Sequence, residues 1–123
     1  IRATIIVHLN QAVAHATVFS LKQATDVAAQ TNAAGPTSLL WANEDAAATD
    51  TLVAQTAAAS YTVTSDIKKK MIVFEVDPAA LTDGYDCVYV TASDSSQATN
   101  FANIEILIRS NFQRATPPAA ITD

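Results

Sequence analysis

Alternation of apolar and polar positions with a period of two runs through most of the chain. It is clearest in Met71–Val76, where Ile72, Phe74 and Val76 fall on one side of an extended chain and Met71, Val73 and Glu75 on the other. Strand side chains alternate in this way, and β-branched and aromatic residues suit a pleated, half-buried surface. Tyr85–Thr91 repeats the pattern, with Cys87 and Tyr89 facing one way and Val88 and Val90 the other. Between the two runs, Asp77 is placed to cap a short helical turn that opens with Pro78. Pro78 has no amide hydrogen, so the first strand ends there. Asp83-Gly84 offers a turn into the second strand. The two runs are read as the central strands of an all-β domain.

The remaining segments follow the same period. Arg2–Leu9 is rich in Ile and Val, with Ile5, Val7 and Leu9 on one face and Thr4, Ile6 and His8 on the other. Ala14–Lys22 is a second strand and Thr37–Ala42 a short buried one, carrying the only tryptophan, Trp41. Thr51–Thr56 and Ala59–Thr64 are strand candidates, the latter pointing Tyr61 and Val63 inward. Phe101–Arg109 is the last strand, with Ile104, Ile106 and Ile108 on one face. Ala24–Pro36 is read as a loop because Thr25, Asp26, Thr31, Asn32 and Gly35-Pro36 supply turn chemistry. Asn43–Asp50 and Asp94–Asn100 are polar and expected to be exposed loops. Pro117-Pro118 disfavours helix and sheet pairing and gives the C-terminus an extended path. Short strands separated by turn signals predict a β-sandwich. The expected architecture is a single-domain antiparallel sandwich over residues 1–112, jelly-roll or immunoglobulin-like, with an extended tail over residues 113–123.

Composition sharpens this picture. A chain of 123 residues fits one domain with one core. Hydrophobic residues make up 50%, much of it alanine, and aromatic residues only 7%. Packing is therefore expected to rest on a few large anchors: Leu9, Phe19, Trp41, Tyr61, Ile72, Phe74, Val88, Ile106 and Ile108. Charged residues are 15%, against about 25% in an ordinary soluble domain. A surface made of Thr, Ser, Asn, Gln and Ala gives up little ionic hydration on contact, and charge depletion marks the centres of interfaces. Net charge is −5, with seven Lys and Arg. Phosphate neutralisation needs clustered cations, so no nucleic-acid partner is expected. The single cysteine, Cys87, cannot form an internal disulfide, which fits folding in a reducing cytoplasm. No apolar run approaches the length of a membrane-spanning helix, and no membrane partner is expected.

Candidate chemistry is sparse. His8 and His15 are the only histidines, and with Cys87 and an acid they would supply a zinc site or a base. They lie on separate strand candidates without ligand spacing, so they are read as ordinary strand residues. Cys87 as a nucleophile would need a neighbouring histidine; its neighbours Tyr85, Val88 and Tyr89 predict a packed, inert thiol instead. Glu75, Asp77, Asp83 and Asp86 gather around one connection, but their spacing matches no calcium loop, and capping and turns explain Asp77 and Asp83. Lys68–Lys70 is read as a solvated turn that guards a strand. With Gly35 and Gly84 as the only glycines, no glycine-rich phosphate loop exists. No catalytic, metal or cofactor site is expected, and the chain is read as a non-enzyme.

At Lys70–Ala92 and Phe101–Asp123 the sequence resembles small structural proteins of tailed bacteriophages, of the kind often encoded near the major capsid protein. The runs that carry the likeness are MIVFEVDPAAL, DGYDCVYV and NIEILIRSNFQRATPPAAITD, with looser similarity at Ser20–Asp26 and Thr37–Trp41. The resemblance implies a head decoration, or cement, protein on the capsid exterior. The expected partner is the phage major capsid protein, and the expected state a homo-dimer or trimer on the virion, made in the host cytoplasm. The likeness carries no residue roles. Contact residues are instead expected from exposure: Arg114, Pro117, Pro118 and Ile121 in the tail, Asn43 and Glu44 in one loop, Asp94 and Gln97 in another. The alternative is a carbohydrate-binding or adhesion module on a virion surface. It would need Trp41, Tyr61, Tyr85 and Tyr89 exposed together, whereas Trp41 is expected to be buried. An enzyme would need His8, His15 and Cys87, or the acids near Asp77, to converge in one pocket.

Overall fold

The computed structural model describes residues 2–109 of the chain. Among these residues nine strands follow one another: β1 (Arg2–Asn10), β2 (Val18–Ala24), β3 (Asn32–Ala34), β4 (Ser38–Asn43), β5 (Val53–Ala58), β6 (Ser60–Thr62), β7 (Lys69–Val76), β8 (Cys87–Ala92) and β9 (Phe101–Arg109). The only helical piece among the described residues is a 3₁₀ turn, Pro78–Ala80. All strand pairing is antiparallel. One sheet runs β5-β4-β7-β1-β9. In the other, β2 pairs with β8 along one side and with β3 and β6 along the other. The fold is thus all-β, with two packed antiparallel sheets that do not close into a barrel among the described residues.

The period-two pattern explains which face of each strand is buried. Ile5, Val7 and Leu9 of β1 and Ile72, Phe74 and Val76 of β7 are in register and point inward. Phe19 and Leu21 of β2 meet them from the other sheet, with Leu40 and Val63 completing the cluster and Tyr61, Val88 and Val90 packing at its margin. Fully burying a side chain of this size contributes roughly 1.5–3 kcal/mol, so these rows hold the sheets together.

Several expectations need correction. β7 is central, as read, but β8 is not its partner: it lies at an edge of the opposite sheet, paired with β2 alone. The connection over residues 77–86 does not reverse the chain in one sheet but carries it across to the other. Its local chemistry is as expected: Asp77 Oδ1 accepts from the Ala79 amide at 3.0 Å, and Gly84 sits at φ 86°. The segment Ala24–Pro36 contains β3, which pairs with β2. Ile106 and Ile108 are not core anchors; they are 47% and 73% exposed. The five-stranded sheet is wider than its partner, so the inner face of β9 extends past the layer that would cover it. Trp41 is half-buried on the outer face of that sheet. Lys70 is not part of a solvated turn but is buried at the start of β7. The expected tail, residues 113–123, lies outside the described residues.

Candidate functional site

The most highly built polar arrangement is centred on Lys70. Its alternation partners are Ile72, Phe74 and Val76, so the lysine projects to the core side. There it is 2% exposed. An ammonium carries three protons, and three acceptors meet it: the Thr64 carbonyl, Thr64 Oγ1 at 2.8 Å and Glu44 Oε2 at 3.0 Å. The Glu44 carboxylate also accepts from Tyr61 Oη at 2.8 Å and from the Thr64 amide and hydroxyl, the latter at 3.1 Å. Burial pushes the Glu44 carboxyl up, but the hydrogen bonds from Lys70, Tyr61 and Thr64, with the lysine charge, bring it below its usual range. Burial and the adjacent Glu44 carboxylate push the Tyr61 phenol up to about 12. Glu44 follows β4, Tyr61 belongs to β6 and Lys70 to β7, so this cluster pins one sheet to the other. With every ammonium proton engaged, it is a clasp rather than a nucleophile or base. The lysine run was visible in the sequence. The signal that reveals Lys70's place is its even spacing with Ile72, Phe74 and Val76.

The other candidate groups are dispersed. His8 lies on the outer face of the five-stranded sheet and is exposed. Cys87 stands opposite Ala24 of β2, on the outer face of the other sheet. The core separates the two side chains, so they cannot share a ligand. His15 Nδ1 is 3.3 Å from Thr17 Oγ1. The Cys87 thiol is pushed up by its hydrogen bond to Asp86, by desolvation and by nearby carboxylates, which keeps it protonated. Arg2 engages Glu75 at 3.4 Å on the surface, and no group of three or more potential metal ligands gathers among the described residues.

The expected contact residues divide. Asn43 is buried; its amide donates to the Thr49 carbonyl at 2.7 Å and its Oδ1 accepts from the Asp45 amide at 2.9 Å. It braces the loop from inside instead of presenting itself, because it continues the β4 ladder opposite Met71. Glu44 belongs to the lysine clasp. Asp94 and Gln97 are exposed, Asp94 accepting from the Ser96 amide at 2.8 Å. Their loop is tied to the β1–β2 connection by Asn100, whose Oδ1 accepts from the Ala12 and Val13 amides, both at 2.8 Å. Arg114, Pro117, Pro118 and Ile121 lie outside the described residues. The four aromatics of the sugar-binding alternative do not form a platform. Trp41 and Tyr89 face outward from different sheets, and Tyr61 packs against the core.

What the sequence reading missed is a surface. Across the outer face of the five-stranded sheet, Trp41, Val73 and Ile6 stand side by side in register. Ala54 of β5 extends the row, and Leu39 next to it is 53% exposed. The row itself carries no charge; Glu105 of β9 stands opposite Ile6 at one end, and Glu75, paired with Arg2, stands opposite Leu39. The alternation that identifies one face of each strand as core also leaves apolar residues on the other, a doubled signal legible in β4, β7 and β1. The chain matches no protein-family model, and neither a curated protein nor a solved structure matches it.

Proposed function

We propose that this is a non-enzymatic virion structural protein: a decoration or cement protein that binds the outside of a phage major capsid lattice and stabilises the head. The observation that carries the reading is the apolar stripe Trp41–Val73–Ile6 on the outer face of the five-stranded sheet, with Leu39 beside it. Such a row loses little ionic hydration on docking and has the anchor chemistry of an interface centre. The sequence resemblance of Lys70–Ala92 and Phe101–Asp123 to phage structural proteins suggests the partner. The finer sandwich type, jelly-roll or immunoglobulin-like, belongs to the same proposal.

Repetition of one weak contact over a lattice converts modest single-site affinity into firm attachment once sites are linked. The test is gradient co-sedimentation with empty capsids of the phage that encodes the chain. Near-stoichiometric binding is expected, and Leu39→Asp, at an exposed site that leaves the core untouched, is expected to weaken it at least tenfold. A protein that stays at the top of the gradient at every ratio would overturn the proposal.

A further inference from the structure

We infer that β9 is a self-pairing edge: two copies of this chain join antiparallel through β9 about a two-fold axis at Leu107, fusing their five-stranded sheets into one. The inference does not depend on the capsid reading.

Among the described residues β1 is the sole neighbour of β9, and the pairing runs the full length from Arg2↔Arg109 to Asn10↔Phe101 without a register shift. The far side of β9 therefore presents a straight row of backbone donors and acceptors. Edge strands are ordinarily protected by brevity, proline, charged side chains or a bulge. β9 is nine residues long and has no proline or bulge, and its only charges are Glu105 and Arg109, of opposite sign. The opposite edge of the same sheet is better protected: β5 (VAQTAA) is only six residues long, and its ladder shifts register between Ser38 and Leu40. All nine residues of β9 are exposed. Phe101 is 65% exposed, Leu107 57% and Ile108 73%.

Charge identifies both the occupant and the register. Glu105 and Arg109 share the outer face of β9 and flank Leu107. Within its own chain Arg109 stands opposite another cation, Arg2, and Glu105 stands opposite Ile6. Like charges directly across a ladder are unfavourable. Arg2 is engaged with Glu75, and among the described residues neither Glu105 nor Arg109 has an ion-pair partner. A second β9 laid antiparallel about Leu107 sets Glu105 opposite Arg109 of the other copy, twice by symmetry. It also sets Leu107 against Leu107 and each Ile106 against an Ile108. A two-fold at Glu105 would oppose two carboxylates, and one at Ile106 would leave both charges unmatched. On the inner face, Ile106 and Ile108 line an open, mostly apolar hollow of about 340 Å³ with Ala3, Ile5, Leu81 and Val88, and with Asp86 as its one charged wall. Pairing sets a second row of isoleucines beside it.

The test is sedimentation equilibrium of the full chain with a charge-swap series. The native protein is expected at twice its 12.9 kDa. Glu105→Arg and Arg109→Glu are each expected to weaken association at least tenfold, and the double swap is expected to restore it. Both positions are exposed, and circular dichroism checks that each variant is folded. Independently, Leu107→Cys in a Cys87→Ser background places two thiols at directly opposed ladder positions, roughly 4.5–5.5 Å apart between Cα atoms. It is expected to form a linked dimer on mild oxidation. A monomer at all concentrations, a dimer indifferent to both single swaps, or a double swap that fails to restore association would each overturn the inference.

Discussion

Lys70 and Glu44 are an unequal pair. The lysine side chain is fully buried and the glutamate 29% exposed. Truncating Glu44 strands a buried cation with only Thr64 as acceptor, whereas replacing Lys70 with an apolar chain leaves a carboxylate that water reaches. Breaking a buried pair by removing one partner costs about 3–5 kcal/mol, while apolar replacement of the buried member is often near neutral. Glu44→Ala is therefore expected to lower unfolding free energy by about 3 kcal/mol and Lys70→Met by clearly less, as read from urea denaturation. Equal losses would contradict the clasp geometry. The same residues set the pH limits of stability. Folding raises the Tyr61 phenol from 10.0 to about 12, so its contribution is whole below about pH 10 and fades as pH climbs toward 12. Folding lowers Glu44 from 4.5, so its contribution is whole above that pH and fades as acid is added through the lowered value. Thermal melts across pH are expected to show a plateau between these limits, with a shallower alkaline fall in Tyr61→Phe. The native-minus-variant absorbance titration is expected to show the Tyr61 phenolate near pH 12. At this scale the sequence was partly legible. Ile72, Phe74 and Val76 announced the buried face of β7, but Lys70, on the same spacing, was assigned to the surface by its charge.

Among the elements, β2 is the hub of the smaller sheet, and Gly35 shows how tightly the chain wraps it. A Cβ on Gly35 would stand 2.8 Å from both the backbone carbon and the Cβ of Leu21, and the Gly35 amide already donates to the Leu21 carbonyl at 2.9 Å. Backbone cannot yield as a side-chain tip can. Gly35→Ala is expected to cost roughly 1–3 kcal/mol, the range for overpacking, measured by urea unfolding. Gly84→Ala, in open space at φ 86°, is expected to cost about 1 kcal/mol. Strand positions were largely legible because period-two alternation is a local property. β9 spans the residues read for it, and the cap at Asp77 is as expected. Partnership was not legible. Nothing within Met71–Ala92 says that residues 77–86 cross between sheets, because that is decided by which distant strands, β1 and β4 or β2, have matching apolar rows. The exposure of Ile106 and Ile108 is not legible for the same reason: alternation identifies a face, but the width of the opposing sheet decides whether that face is covered.

For the whole molecule, unequal sheet widths are the consequential feature. Five strands against a narrower sheet leave β9 overhanging, and the outer face of the wide sheet carries the stripe of Trp41, Val73 and Ile6. Pairing through β9 would place two such stripes on one side of a continuous sheet, a bivalent surface whose attachment to a lattice is strengthened by effective concentration. Trp41, half-buried in the free protein, is then expected to lose acrylamide accessibility and shift its emission to the blue on addition of empty capsids. An unchanged spectrum alongside co-sedimentation would move the contact to another face. Decoration of a phage head is decided by the copy number of the chain in purified virions, counted by quantitative mass spectrometry against the major capsid protein. A decoration protein is expected at a fixed ratio, with copies numbering on the scale of the capsomers. Absence from the particle, or a variable trace amount, would contradict it.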